Sequence, residues 1–304
     1  MSQFSPRGLV WLVFAGILCG VAGTDAVAET PSKYQLRFKF SPQQELYYVT
    51  QNDAEYMVEY SQTKQTIPHT SMNIRHIKVL TVESDGSAEV ELMIDRARMT
   101  AKNEGVDSLY DSADAAHVPT EFAGVHEKIG KPATARLTAL GTVIATKQDA
   151  IGDVEQIDLM FLLPEQPVAI GGTWKDNFEV SVPLDAQSKL SRLIKLQRRY
   201  ELKSVENGIA TIAMVTAPLS SVSDPFQESQ LVQRKYSGTI KFDIEQGCLI
   251  DRQFRINEKI VGSSGPGTAL TVQIIKVDRL VNAEQLPQVD LTKPLVPVKV
   301  AKLP

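Results

Sequence analysis

Residues Ser84–Ile94 read S-D-G-S-A-E-V-E-L-M-I. A polar turn at Asp85-Gly86 leads into a segment that sets Ala88, Val90, Leu92 and Ile94 on one side. Ser87, Glu89 and Glu91 fall on the other. A period of two is the mark of a half-buried strand, and Asp-Gly tolerates the left-handed backbone of a tight hairpin. The plan returns at Glu206–Val215, E-N-G-I-A-T-I-A-M-V, behind Asn207-Gly208. Each copy is followed by a second strand-turn-strand unit, at Arg136–Ala145 and Lys241–Ile250. The chain therefore reads as mainly β, with two related halves of long antiparallel hairpins forming curved sheets and one or two short helices per half.

Working outward, Tyr34–Phe40 alternates Tyr34, Leu36, Phe38 and Phe40 against Gln35, Arg37 and Lys39, as a strand would. Glu45–Gln51 and Ala54–Gln62 read as two strands separated by Asn52-Asp53, and Ile74–Val82 as another. Met99–Thr120 loses the period and reads as a loop. Thr120–Ile129 fits a short helix, with Phe122, Val125 and Ile129 spaced by three and four before Gly130. Ala133–Lys147 is a strand pair turned at Gly141. Val154–Leu163 reads as an apolar helix closed by Pro164.

The second half opens at Gly171-Gly172-Thr173-Trp174. Phe178, Val180 and Val182 alternate before Pro183. Hairpins follow at Arg192–Val205 with Ile209–Ala217, and at Tyr236–Ile244 with Leu249–Val261. Ala269–Leu280 is the final strand. The expected organisation is a signal at residues 1–28, a first β-rich half at 29–167, a second at 168–281, and a tail at 282–304. Four prolines in that tail suit an extended or disordered run on the surface.

The signal reading rests on Arg7, the apolar run Gly8–Gly23, and Ala26-Val27-Ala28 before a mature start at Glu29. It implies export to the periplasm, cell envelope or extracellular space, with no integral membrane span after cleavage. A retained anchor and a lipid on Cys19 are weaker readings. Several glycines interrupt the run, and Leu18 is too large for a lipidation site. Only Cys248 then remains, so no internal disulfide forms. A buried small hydrophobe is the plain reading of Cys248, and a nucleophile would need a distant base.

Thirty-two basic and 36 acidic side chains give a net charge of -4. Nucleic acid is excluded as a partner by the lack of a basic stripe, and composition supplies no polybasic membrane patch. Lys189–Arg199 is basic but interrupted by Leu190, Leu193, Ile194 and Leu196, which suits an ordinary cationic face better than a polyanion site.

No catalytic constellation stands out. His69, His76, His117 and His126 form no ligand pair, so no metal or cofactor is expected. Glu89 and Glu91 suit a solvated strand face rather than a glycosidase pair. Asp107, Asp111 and Asp114 lack the glycine and glutamate positions of a calcium loop. Gly262–Gly267 precedes a strand, not the lysine and helix of a phosphate loop, and no G-x-S-x-G elbow occurs.

Several stretches, L-Y-Y-V at Leu46–Val49, D-G-S-A-E-V at Asp85–Val90, L-G-T-V-I-A at Leu140–Ala145 and G-G-T-W at Gly171–Trp174, resemble a family of secreted bacterial proteins. That family is common in planctomycetes and known as a domain of unknown function. The resemblance spans Tyr34 to Leu280, rests on turn and packing signatures, and brings no catalytic residues. A looser, fold-level likeness is to envelope lipoprotein-carrier proteins, whose curved antiparallel sheet wraps a hydrophobic cavity over helices. It implies ligand binding.

Two functions are therefore expected to compete. One is a non-enzymatic exported protein that binds a hydrophobic small molecule or an envelope protein. Its cavity would be lined by Tyr34, Leu36, Phe38, Phe40, Phe122, Leu159 and Phe161, which serve equally as solid core. The other is a secreted hydrolase with a dispersed site.

Overall fold

The computed structural model describes residues 32–103, 105–114, 116–146, 159–187 and 190–296. Met1–Pro31, with the expected signal, lies outside them, and Ser32–Pro304 forms a compact unit of its own.

Asp85-Gly86 and Asn207-Gly208 do turn the chain: Gly86, Asn207 and Gly208 all have positive φ. The strands of the first run are β1 (Lys33–Tyr34), β2 (Glu45–Tyr60), β3 (Thr63–Val82), β4 (Ala88–Asn103), β5 (Val106–Asp111), β6 (Ala133–Leu137) and β7 (Val143–Thr146). Those of the second are β8 (Val168–Ala169), β9 (Thr173–Pro183), β10 (Ser191–Glu206), β11 (Ile209–Pro218), β12 (Ser237–Asp243), β13 (Cys248–Val261) and β14 (Thr268–Val281). Helix α1 (Ala123–His126) continues a 3-10 turn at Thr120–Phe122 and precedes β6. Helix α2 (Pro225–Leu231) precedes β12.

Twelve of these strands make one antiparallel sheet, in the order β7-β6-β4-β3-β2-β14-β13-β12-β11-β10-β9, with β5 also on β4. The chain starts at the middle, zigzags out to β7, crosses over, and zigzags back from β9. Its last strand closes on its first: Tyr47–Tyr60 pairs with Thr268–Val281 along the whole of β14. The two halves are thus one continuous sheet. Bulges at Ile74/Arg75, Val79/Thr81, Leu202/Ser204 and Lys241/Phe242 add local twist and bending. Curvature lets Leu137 near one edge and Tyr200 near the other join one core. The edges β7 and β9 do not pair with each other, so the sheet stays open.

Strand direction gives the sheet two distinct ends. Turns 83–87, 138–142, 207–208 and 244–247 lie at one, here the lower end. The β2–β3, β4–β5, β9–β10 and β13–β14 turns lie at the other, the upper end.

Several expectations need correction. Tyr34–Phe40 keeps its alternating burial, but only Lys33–Tyr34 pairs as strand, with β8. The rest crosses the lower end as a cover. Its amides are satisfied by turns, Phe38 N–H by Ala139 and Lys39 N–H by Gly247. Asn52-Asp53 is no break. Asn52 pairs with Lys276 and Ser71, and Asp53 with Ile275 and Thr70, because neighbours on both sides hold the backbone extended. Met99–Thr120 is not all loop. Strand β4 runs on to Asn103, and β5 pairs back on it.

The described part of Val154–Leu163 is not helical, and residues 154–158 lie outside the described residues. Leu159, Phe161 and Leu163 are buried while Met160 and Leu162 are half-buried, a period of two. Helix α2 fills part of the connection between the Ile209–Ala217 and Tyr236–Ile244 strand readings. Its signals are ordinary: the Asp224 carboxylate accepts from Gln227 N–H, and Pro225 opens the helix.

In the tail, Ala283–Gln288 forms a 3-10 turn, and Leu291 is buried against Val49, Met72 and Ile74 on the outer face of the sheet. The Gln51 amide donates to Val296 C=O and accepts from Val296 N–H. Residues 297–304 lie outside the described residues.

Candidate functional site

The conspicuous G-G-T-W stretch is a structural corner. Gly171 has φ 82°, and a Cβ on Gly172 would sit 2.4 Å from the Val168 side chain, so the chain turns from β8 into β9 only without side chains there. Trp174 then stacks on Tyr200 at 5.4 Å and donates its indole N–H to Leu162 C=O at 2.8 Å. Gly141 does the same work in L-G-T-V-I-A. A Cβ there would meet Phe161 C=O at 2.2 Å and the Phe38 ring at 2.7 Å.

These corners bring two cover segments, 34–40 and 159–168, over the lower end. Arg37 ties them together by donating to Pro164 C=O at 2.6 Å and to Glu165 C=O. Of the seven proposed lining residues, Leu36, Phe38, Leu159 and Phe161 are buried in the main core, with Tyr34 and Phe40 packed against it. Phe38 meets Phe161 and Phe242 edge-on at 5.4 and 5.3 Å. Interlocked rings at these distances are packed core. Phe122 belongs elsewhere, in a cluster with Ile94, Ala97, Met99 and Tyr110 beneath α1.

A buried ion pair lies on the central strands. Arg252 donates from Nε to one Asp278 oxygen at 2.8 Å, its Nη2 lies 2.6 Å from the same oxygen, and Thr50 Oγ donates to the other at 2.8 Å. All three are buried. Asp278 faces Arg252 across one strand boundary and Thr50 across the other. The group fixes the register of β13, β14 and β2 and leaves no open coordination for a substrate.

An open polar recess of about 390 Å³ lies where the outer edge of β4 passes from β5 to β6. Tyr110, Ser112, His126, Glu127, Ile129 and Lys131 line it. Here β4 lacks a strand neighbour, and single residues fill in. Ser112 Oγ accepts from Ala97 N–H, and Gly130 N–H donates to Ile94 C=O. The Tyr110 hydroxyl lies 3.0 Å from His126 Nδ1, and burial raises the Tyr110 pKa. The phenol is therefore neutral at physiological pH, and its partner histidine holds it in place. Ser112 is engaged in closing the sheet edge, so no activated nucleophile faces His126.

Among the other sequence candidates, His76 Nδ1 lies 2.8 Å from both Asp95 oxygens, and that hydrogen bond raises the His76 pKa. Burial lowers the His69 pKa; its ring lies 6.0 Å from Phe122. Cys248 is buried, and burial pushes its thiol up to about 11, which leaves almost no thiolate at neutral pH. Asp111 pairs with Arg98 and Asp107 with Lys102. Among the described residues no group of three or more His, Cys, Asp or Glu is placed to hold a metal. None of their helices is long and apolar enough to cross a membrane.

What the sequence did not reveal is the character of the upper end. Large exposed apolar side chains gather on or beside its turns. Tyr60 and Val58 flank the β2–β3 turn, Val106 and Leu109 follow the β4–β5 turn, and Val261 precedes the β13–β14 turn. Leu184, Leu190 and Leu193 surround the β9–β10 turn, and Leu219 follows β11. Tyr60, Val106, Leu190, Leu193 and Val261 are each 63–71% exposed. Val143, Ile144 and Ile170 are exposed beside the lower turns, which also carry Glu83, Asp85, Glu206 and Glu245. Alternation gave no warning, because the tips sit at strand ends where the period stops.

Comparison with known proteins gives a family of unknown function (DUF6263), whose sequence model matches residues 154–249, about a third of the chain. The match includes the G-G-T-W corner. No curated protein sequence matches the chain. Among solved structures, a lipovitellin structure titled for its lipid–protein interactions is 9% identical, with a TM-score of 0.46. The likeness covers 80% of this chain and 26% of that one, so this chain spans about a quarter of it. DynF, from the dynemicin biosynthesis pathway of Micromonospora chersina, is 8% identical over 85% of this chain and 92% of that one, with a TM-score of 0.21. An outer membrane lipoprotein-sorting protein domain from Vibrio parahaemolyticus is 6% identical over 81% and 92%, with a TM-score of 0.18. Scores this low carry no functional argument.

Proposed function

We propose that this chain is an exported, non-enzymatic binding protein that engages a hydrophobic ligand or partner at the upper end of its sheet. The observation that carries the reading is the gathering of exposed apolar side chains on the upper turns, opposite a lower end sealed by its cover segments. Scattered apolar side chains are normal on any surface, whereas a collection at one end of a fold marks a contact surface. Export follows from the N-terminal signal pattern, and the two runs of strands follow from duplication of one unit. A hydrolase reading of the recess beside Tyr110 and His126 would need a nucleophile on that histidine, and Ser112 there is bonded to Ala97 N–H instead.

Nile red fluorescence tests the binding reading. The Ser32–Pro304 unit is expected to enhance and blue-shift the dye. A Leu190→Ser/Leu193→Ser double substitution is expected to remove most of that signal while the urea midpoint stays unchanged. Full enhancement by the double variant would refute a site at this end.

A further inference from the structure

We propose that the upper rim docks on an anionic lipid surface, with the β9–β10 hairpin leading. This rests on the binding reading above and names the partner. The apolar side chains project singly from separate turns: Tyr60, Val106, Leu190, Leu193 and Val261 come from four hairpins. A specific protein interface needs a contiguous, well-packed apolar centre. Gathered at one end but set on separate turns, these side chains make no such centre, and each can insert independently into a fluid hydrocarbon boundary. Tyr60 carries the ring and hydroxyl that suit a headgroup level.

Charge then selects the lipid. The hairpin reads Lys189-Leu190-Ser191-Arg192-Leu193-Ile194-Lys195, so cations alternate with the protruding leucines. Arg192 and Lys195 are both exposed. Lys195 approaches Glu179 only loosely, at 3.8 Å on the surface. Their long side chains can reach headgroup phosphates while the leucines point inward. Upper-rim carboxylates Glu59 and Asp107 are paired with Lys64, Lys259 and Lys102, and Asp185 shares the leading turn, so Arg192 and Lys195 are the cations on which the lipid preference rests.

The test is co-sedimentation of the Ser32–Pro304 unit with phosphatidylcholine vesicles, with and without phosphatidylglycerol. Binding is expected with phosphatidylglycerol and weak without it. Arg192→Gln is expected to weaken it about fivefold, and Leu190→Ser/Leu193→Ser roughly tenfold or more. Urea unfolding confirms that each variant is folded. A Glu206→Gln change at the far end is expected to leave binding unaltered. Binding that ignores both the leucine pair and Arg192 overturns the proposal. So does failure to bind either vesicle by a unit that still takes up Nile red, which would leave the binding reading intact and its partner something other than a bilayer. Loss of both vesicle binding and dye uptake would remove the two together.

Discussion

The two ends of this sheet are built from the same hairpins and finish in opposite ways. At the lower end two irregular segments fold over the inner face, so that Phe38, Phe161, Phe242 and Tyr200 lock together. At the upper end the turns carry leucine, valine and tyrosine into solvent. We propose that the first carries stability and the second contact. The middle is pinned by Arg252, Asp278 and Thr50.

Substitutions on the two ends should separate these roles. The largest effect is expected at the core. Phe161→Ala removes a ring from the interlock and should cost roughly 3–5 kcal/mol in urea unfolding. Asp278→Ala should cost a similar amount, roughly 3–5 kcal/mol, because it strands a buried guanidinium. The double change Asp278→Leu/Arg252→Met should recover much of that loss. If it does not, the pair contributes more than register.

Smaller effects follow at the seams between segments. Trp174→Phe keeps the stack on Tyr200 but loses the bond to Leu162, and about 1 kcal/mol is expected. The same unfolding experiment checks it.

The His76–Asp95 contact gives a pH effect. The folded pKa of His76 is raised above its unfolded value, so its stabilisation is full below the unfolded value of about 6.5 and fades as pH rises through the folded value. His76→Gln should flatten the pH dependence of the thermal midpoint across that window. An unchanged profile would show that the ion pair carries no stability. Smallest of all, Leu193→Ser on the upper end should shift stability by less than about 0.5 kcal/mol. A larger loss would mean that the upper leucines are packed, and the contrast between the ends would fail.

Much of the sheet was legible because hairpins are local. Asp85-Gly86 and Asn207-Gly208 sit between alternating runs, and each turn is fixed by its own residues. The seam between β2 and β14 was hidden, since Thr50 and Asp278 meet across more than two hundred residues of chain. Asn52-Asp53 misled for the same reason. Residues with strong turn propensity stay extended when partners on both sides hold them. Phe38 showed the right alternation, but sequence cannot distinguish a strand with a ladder from a cover strand without one, and Phe161 sits in an apolar run that reads as a helix. The candidate contact surface was least legible. Leu190, Tyr60, Val106 and Val261 are far apart in the chain, and only the direction of the strands puts them at one end.

The most direct test of the central claim is an NMR titration of the Ser32–Pro304 unit with a short-chain lysophospholipid below its micelle concentration. The account predicts that amide shifts concentrate at residues 58–63, 105–109, 190–193 and 261–267, while turns 83–87, 207–208 and 244–247 stay silent. Shifts centred on the cover segments, on the recess at Tyr110 and His126, or on the lower turns would contradict it.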